Sequence, residues 1–79
     1  MKIELALFAQ FAHRYPVPGS GREPRAMEVD EGATVGAVAG LVGIAEERRI
    51  TFVNGRHADD DRVLLEGDRV AYFPPIAGG

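Results

Sequence analysis

One run of apolar residues with helical spacing lies among several runs that alternate with a period of two, and this contrast limits the folds open to the 79-residue chain. The helical run consists of Val35, Val38, Leu41 and Val42. Thr34 precedes it, and its hydroxyl can accept a hydrogen bond from an otherwise unpaired N–H group of the first turn. Since a single helix must bury its apolar stripe against another layer, the alternating runs are expected to form a sheet.

Runs with a period of two predict three strands, which cover Lys2 to Ala9, Arg25 to Asp30 and Arg69 to Phe73. The apolar, β-branched run from Ile50 to Val53 predicts a short buried strand, and Arg56 to Ala58 is expected to form a brief returning strand. With the helix included, the order along the chain is strand, strand, helix, strand, short strand, strand. This order is typical of the β-grasp (ubiquitin-like) fold, an α+β class in which a mixed sheet of four to five strands packs on one main helix.

Glycine and proline mark the boundaries of these elements. The loop from Pro16 to Pro24 is rich in both and predicts a hairpin with a flexible tip between the first two strands. Asn54-Gly55 favours a tight turn, and Gly43 is placed to end the helix in a left-handed conformation. Gly36 and Gly40 each cost the helix about 1 kcal/mol relative to alanine. We expect close packing of a thin helix on the sheet to compensate.

The composition excludes several classes of protein. Nine lysines and arginines against twelve acidic residues give a net charge of −3, whereas domains that bind nucleic acid through its phosphates are usually strongly basic. The absence of cysteine excludes disulfides, thiolate metal sites and thiol nucleophiles. No apolar run approaches the roughly 20 residues of a membrane span, and Glu4 stands where a signal peptide would be apolar. We therefore expect a cytoplasmic protein with no nucleic-acid or membrane partner.

The side chains that could carry out chemistry are few and scattered. Ser20 is the only serine, and His13 and His57 are the only histidines, so nothing supports a Ser–His–acid arrangement. The run from Asp59 to Asp61 lacks the ligand spacing of a calcium loop and is more typical of a solvated turn. The chain is therefore not expected to bind a metal or to act as an independent enzyme.

The C-terminal segment is the most unusual part of the sequence. The last ten residues carry no side-chain charge. Pro74-Pro75 ends the last strand and stiffens the exit, whereas Gly78-Gly79 is narrow enough to pass through a constriction. We predict a domain at residues 1–73 and a flexible tail at residues 74–79 that can extend about 20 Å. The one reactive group of this tail is the terminal carboxylate, a poor electrophile that a partner would have to activate.

Two phenylalanines are expected beside the root of the tail. If Leu7 faces the helix, alternation places Phe8 on the outer face of the sheet, and an inward Tyr72 places Phe73 there as well. The first and last strands of a β-grasp sheet are neighbours, so Phe8 and Phe73 should lie close together. Two exposed aromatic residues beside the tail predict a docking patch.

Three segments resemble the MoaD/ThiS family of ubiquitin-like sulfur carriers, and the MoaD branch in particular. Leu7 to Gln10 resembles the end of the family's first strand, and Val53 to Gly55 resembles its central hairpin. Leu65 to Gly79 is similar to the family's ending, L-x-x-G-D-x-V-x-F-F-P-P-V-x-G-G. The terminal match is specific, and together the three segments span nearly the whole chain.

The resemblance implies a cycle of reactions carried out by partners, with no cofactor bound to the chain itself. A ubiquitin-activating-type adenylyltransferase would use ATP to adenylate the terminal carboxylate, and a sulfur donor protein would replace AMP to leave a thiocarboxylate. The tail would then enter the large subunit of molybdopterin synthase and give its sulfur to a cyclic pterin precursor. By position, Phe8, His57 and Phe73 would form the docking patch, and the inserted tail would comprise Pro74, Pro75, Ile76, Ala77, Gly78 and Gly79.

The sequence departs from the family pattern at three places: His57 stands where an apolar residue is expected, the loop from Pro16 to Pro24 is unusual, and the helix is rich in glycine. These departures leave other acceptors open. The alternatives are a sulfur carrier for thiamine or another cofactor, a ubiquitin-like protein modifier, and a non-catalytic β-grasp interaction domain whose Gly-Gly ending is incidental.

Overall fold

The computed structural model describes residues 1–14 and 24–75, and its elements follow the predicted order. The helix α1 covers Val35–Val42, and a 3-10 helix covers Ala9–His13. The strands are β1 (Lys2–Leu7), β2 (Arg25–Glu28), β3 (Ile50–Val53), β4 (Arg56–His57) and β5 (Arg69–Phe73). Both β1 and β2 end two residues earlier than predicted. Of the predicted loop from Pro16 to Pro24, only Pro24 lies within the described residues.

The five strands form one mixed sheet in the order β2-β1-β5-β3-β4. The central pair, β1 and β5, is parallel, and the other three pairs are antiparallel. The first and last strands are therefore neighbours, as predicted, and both run toward the same end of the sheet. The β-grasp prediction is confirmed by this topology and by the one α-helix of the described residues, which covers one face of the sheet.

The core lies between α1 and the inner face of the sheet. The helix contributes Val35, Val38, Ala39 and Val42, all of which are buried. The prediction that Leu41 belongs to this stripe is wrong, because its side chain is 59% exposed. At 3.6 residues per turn, Leu41 lies about 110° around the helix from the centre of the buried stripe.

Tyr72 joins the sheet to the first turn of the helix. Its side chain is fully buried, and its hydroxyl donates a hydrogen bond to the carbonyl oxygen of Val35 at 2.6 Å. Burial raises the pKa of Tyr72 well above its ordinary value; nearby Arg49 opposes this effect and Asp60 reinforces it, both more weakly. The phenol therefore stays neutral and remains a donor throughout the range in which the protein would be studied.

The ends of α1 form as the sequence predicts. The Thr34 hydroxyl accepts a hydrogen bond from the backbone N–H of Ala37 at 3.1 Å, and Gly43 ends the helix in the left-handed region with φ 88°. The expected compensation for the two internal glycines is wrong, however. A Cβ at Gly36 would lie 3.2 Å from Cβ of Asp60, in a loop and not in the sheet, and a Cβ at Gly40 would meet nothing within 4 Å.

We expect Gly40→Ala to raise the free energy of unfolding by about 1 kcal/mol, because alanine suits a helix interior and the added methyl group meets open space. Gly36→Ala is the matched control. Its methyl group would press on the Asp60 backbone oxygen at 3.3 Å, so its gain should be smaller or absent. Urea unfolding of both variants measures the difference, and a Gly40→Ala protein no more stable than Gly36→Ala would contradict the interpretation.

No helix within residues 1–14 and 24–75 is long and apolar enough to cross a membrane.

Candidate functional site

The outer face of the sheet is charged at one end and aromatic at the other. Ile3, Leu5 and Leu7 point into the core, so alternation places Glu4 and Phe8 on the outer side. Glu4 pairs with Arg69 across the parallel strands, and their side chains form an ion pair at 3.3 Å. Phe8 follows the opposite end of β1. The aromatic end is therefore the end at which β5 leaves the sheet.

Four aromatic side chains, Phe8, Phe73, Phe52 and His57, form a row across this end of the outer face, here called the aromatic row. Phe8 and Phe73 are stacked, with ring centroids 4.3 Å apart and planes 9° apart. Phe52 meets Phe73 edge-on at 5.6 Å and meets His57 edge-on at 6.0 Å. The three phenylalanines are half-buried and His57 is exposed. The row follows the strand order β1-β5-β3-β4, so one face of the sheet presents a continuous apolar strip.

The sequence predicted one of these three contacts and three of the four residues. The prediction that Phe8 and Phe73 lie side by side on the outer face is confirmed. His57, predicted beside them, is in the row but contacts Phe52. Phe52 was missed because the sequence predicts Ile50 to Val53 as a buried strand. The structure buries Thr51 and Val53, and alternation along the strand therefore turns Phe52 outward. Phe52 bridges His57 to the stacked pair.

The aromatic row lies at the root of the predicted tail. Phe73 is the last residue of β5, and it is followed by half-buried Pro74 and exposed Pro75. The backbone N–H of Phe8 donates to the carbonyl oxygen of Tyr72 at 3.2 Å, which fixes the end of β1 beside this exit. The remaining predicted tail residues, 76–79, lie outside the described residues, so the assignment of the tail stays a prediction.

A hydrogen-bond network holds the β3–β4 hairpin to the start of β5. Asn54 and Gly55 form the predicted turn with φ values of 52° and 80°. The Asn54 side-chain amide donates to Oδ1 of Asp68 at 2.8 Å, and its oxygen accepts from the backbone N–H of Arg69 at 2.9 Å. Oδ2 of Asp68, a largely buried carboxylate, accepts from the backbone N–H of Leu65 at 2.8 Å. The Asn-Gly and Gly-Asp motifs of the sequence thus have a structural role, which is to hold the strands that carry Phe52 and Phe73.

Arg49 anchors the loop between α1 and β3, which sequence reasoning did not find. One terminal nitrogen donates to three backbone carbonyl oxygens, those of Ile44, Ala45 and Glu47, at 3.0 to 3.1 Å. The other donates to the Asp60 carboxylate at 2.6 Å. Asp60 therefore belongs to an ion pair within the predicted acidic turn.

The part of the chain that the structure describes contains no group of three or more side chains able to hold a metal ion. Ser20, the only serine, lies outside the described residues, and no described contact involves His13 as an acid or a base. The described residues do form an aromatic surface beside Pro74 and Pro75. Such an arrangement can dock a partner and present a segment to it.

Comparison with known proteins agrees with this arrangement. The ThiS family matches residues 7–79. No curated protein matches the chain. The crystal structure of SAMP1 from Haloferax volcanii is 28% identical, with all of both chains covered and a TM-score of 0.72. A Pyrococcus furiosus structure, provisionally assigned as subunit 1 of a molybdopterin converting factor, is 27% identical with a TM-score of 0.72, and the match covers 95% of this chain and 98% of that one.

A ubiquitin from Caldiarchaeum subterraneum is 24% identical with a TM-score of 0.57, over 100% of this chain and 98% of the other. At that identity the likeness concerns the fold alone. The matches together confirm the ubiquitin-like architecture that the strand order predicted.

Proposed function

We propose that this chain, which belongs to the ThiS family of ubiquitin-like sulfur carriers, carries sulfur as a C-terminal thiocarboxylate and donates it in molybdopterin synthesis as the small subunit of molybdopterin synthase. The observation that carries the proposal is the stacking of Phe8 on Phe73 at 4.3 Å, beside the exit of β5. The two rings form an apolar docking surface directly before Pro74 to Gly79, the segment that a synthase would have to receive.

In this proposal, partner proteins carry out the adenylation and the transfer of sulfur. A ubiquitin-activating-type adenylyltransferase joins the Gly79 carboxylate to AMP, using ATP that the partner binds. A sulfur donor protein then delivers sulfur as sulfide: the sulfide attacks the acyl carbon, a carbon–sulfur bond forms, the carbon–oxygen bond to AMP breaks, and AMP leaves, so that the product is the thiocarboxylate and no oxidant or reductant is needed. The carrier contributes recognition and reach. A tail of six residues extends about 20 Å from the sheet, which is enough to enter a buried active site.

Docking on the large subunit uses the aromatic row together with the tail. Phe8, His57 and Phe73 were assigned to the contact by position in the family, and Phe52 completes the strip between them. Large, rigid aromatic side chains are enriched at the energetic centres of interfaces because they bury much area at a small cost in side-chain entropy. The partner surface is therefore expected to be apolar where it meets this strip. The inserted segment is Pro74 to Gly79.

A protein modifier is the second candidate, and a specific comparison favours it. SAMP1, also named small archaeal modifier protein 1, has the same TM-score, 0.72, as the molybdopterin converting factor subunit, and its sequence identity to this chain is similar. The activation step is the same for both functions. They differ in the final acceptor, which is a pterin precursor in one case and an amine of a protein in the other.

The test follows the mass of the intact chain. The chain is incubated with the activating enzyme from the same genome, ATP and a sulfur donor. We expect the replacement of one oxygen by sulfur, and then its reversal when the large subunit and the pterin precursor are added. An unchanged mass in the first step would refute the carrier function. A mass change without transfer to the pterin, accompanied by amide conjugates to other proteins, would identify the modifier.

A further inference from the structure

The chain carries two primary amines, and one of them, the Met1 α-amine, is partly buried and donates to the carbonyl oxygen of Val29 at 2.7 Å. Of its nine basic residues eight are arginine, and the only lysine is Lys2. This matters for a protein whose own C-terminus becomes an activated acyl group, because a deprotonated lysine amine attacks such a group. The arginine guanidinium stays protonated and does not attack it. Arginine thus supplies positive charge to the surface without supplying an acceptor.

We propose that Lys2 is the single side chain at which this protein accepts its own C-terminal acyl group, so that two copies join head to tail through one Gly79–Lys2 isopeptide bond. The inference rests on the proposed function, which supplies the activated carbonyl at Gly79. The inference goes beyond that function because it specifies which two residues are joined and that the two copies are joined end to end.

Lys2 is available for this reaction. It opens β1 with its side chain exposed on the outer face, since the next residue, Ile3, points into the core. Glu28 is its cross-strand neighbour, and its own backbone N–H donates to the Glu66 carboxylate at 2.9 Å. Among residues 1–14 and 24–75, no ion pair within 4.0 Å involves the Lys2 ammonium.

The fold places this amine far from the point at which β5 of the same copy ends. β1 and β5 are parallel, with Glu4 opposite Arg69 and Leu7 opposite Tyr72. Lys2 is therefore at the charged end of the sheet, about 20 Å from the exit after Phe73, given six residues at about 3.3 Å each. The six-residue tail spans only about the same distance when fully extended, and it would have to reverse direction at Pro74-Pro75.

Acylation within one copy is thus disfavoured, and a second copy becomes the acceptor. Joining one end of each copy to the opposite end of the next is a heterologous contact, which gives open chains unless the rotation between copies closes a ring. Because each copy has one acceptor lysine, the products are unbranched. In each step the Lys2 Nζ lone pair forms the carbon–nitrogen bond, the bond to the leaving group breaks, and the amine proton passes to solvent. No oxidant or reductant is needed.

The test uses the full 79-residue chain with a chemically prepared C-terminal thioester at Gly79, so it does not depend on the activating enzyme. The thioester and its Lys2→Arg variant, which keeps the positive charge, are incubated at mildly alkaline pH, with an added small amine as a check that the thioester reacts. We expect a dimer that has lost one thiol and maps to Gly79–Lys2. Its yield should be at least about tenfold lower in Lys2→Arg.

Three results would overturn the inference: equal dimer in Lys2→Arg, no dimer from a thioester that reacts with the small amine, or a cyclised monomer as the main product. Because activation is bypassed, a failure here leaves the sulfur-carrier test untouched. A failure of enzymatic adenylation would equally leave this result standing.

Discussion

Deletion of Gly79 is expected to abolish thiocarboxylate formation completely and to leave the free energy of unfolding unchanged within experimental error. The described fold accounts for both halves of this expectation. The core and all five strands lie within residues 1–75, and a terminal residue beyond them contributes little to stability. Chemically, the deletion withdraws the reacting carboxylate by one residue, about 3.3 Å. A near-attack geometry does not tolerate such a misplacement.

Two readouts separate the loss of chemistry from the loss of binding. Intact mass reports the oxygen-to-sulfur exchange, and a pull-down with the activating enzyme reports docking through the aromatic row. Deletion of Ala77 withdraws the carboxylate by the same distance but keeps the Gly-Gly ending, so it separates reach from the identity of the end. If reach decides, the Ala77 deletion loses the sulfur exchange as the Gly79 deletion does; if the Gly-Gly ending decides, it stays active. Full activity after Gly79 deletion would refute the assignment of the reactive group. Partner binding without any sulfur exchange in the full-length chain would favour the interaction-domain alternative.

The stacked pair could be predicted from one local rule and one rule of topology. Alternation, the local rule, assigns Phe8 and Phe73 to the outer face, and the strand order of a β-grasp sheet places β1 beside β5. The Thr34 cap, the Gly43 end of the helix and the Asn54-Gly55 turn could be predicted from local rules alone, because they depend on the conformations of a few neighbouring residues.

The residues that sequence reasoning misjudged depend on packing between distant segments. Leu41 is apolar and near helical spacing, but the buried stripe is centred on Val35, Val38 and Val42, and Leu41 lies outside it and is exposed. In the sequence Arg49 has no feature that distinguishes it from a surface charge. In the structure its guanidinium donates to three backbone carbonyl oxygens of the loop before β3. No pattern among the neighbouring residues of the sequence predicts such a contact.

Phe52 is a different case. The apolar run from Ile50 to Val53 does not show which face Phe52 takes, and the importance of Phe52 appears only once β3 is known to be the neighbour of β5 on the side away from β1. The aromatic row is therefore a property of topology, and sequence reasoning finds three of its members but not Phe52, which joins them. For the same reason His57 belongs to the row through Phe52.

Phe73→Asp is expected to weaken binding of the large synthase subunit by about a hundredfold or more, the effect of removing an aromatic anchor from the centre of an interface. Phe73 contacts both Phe8 and Phe52, so a carboxylate at this position interrupts the aromatic row in the middle and would be desolvated in the complex. The cost to the fold should be modest, because the side chain is on the outer face and its aromatic contacts contribute about 0.5–1.5 kcal/mol each.

Leu41→Asp is the matched control for this substitution. It makes the same apolar-to-acidic change at an exposed site, but on the helix, which covers the opposite face of the sheet. Titration calorimetry with the large subunit measures both variants, and urea unfolding confirms that each is folded. If the outer face is the docking surface, Leu41→Asp binds like the unmodified chain and Phe73→Leu recovers most of the affinity, since leucine restores apolar area without the charge. Equal losses for Leu41→Asp and Phe73→Asp would show instead that the added negative charge repels the partner wherever it is placed, and the aromatic row would lose its assigned role.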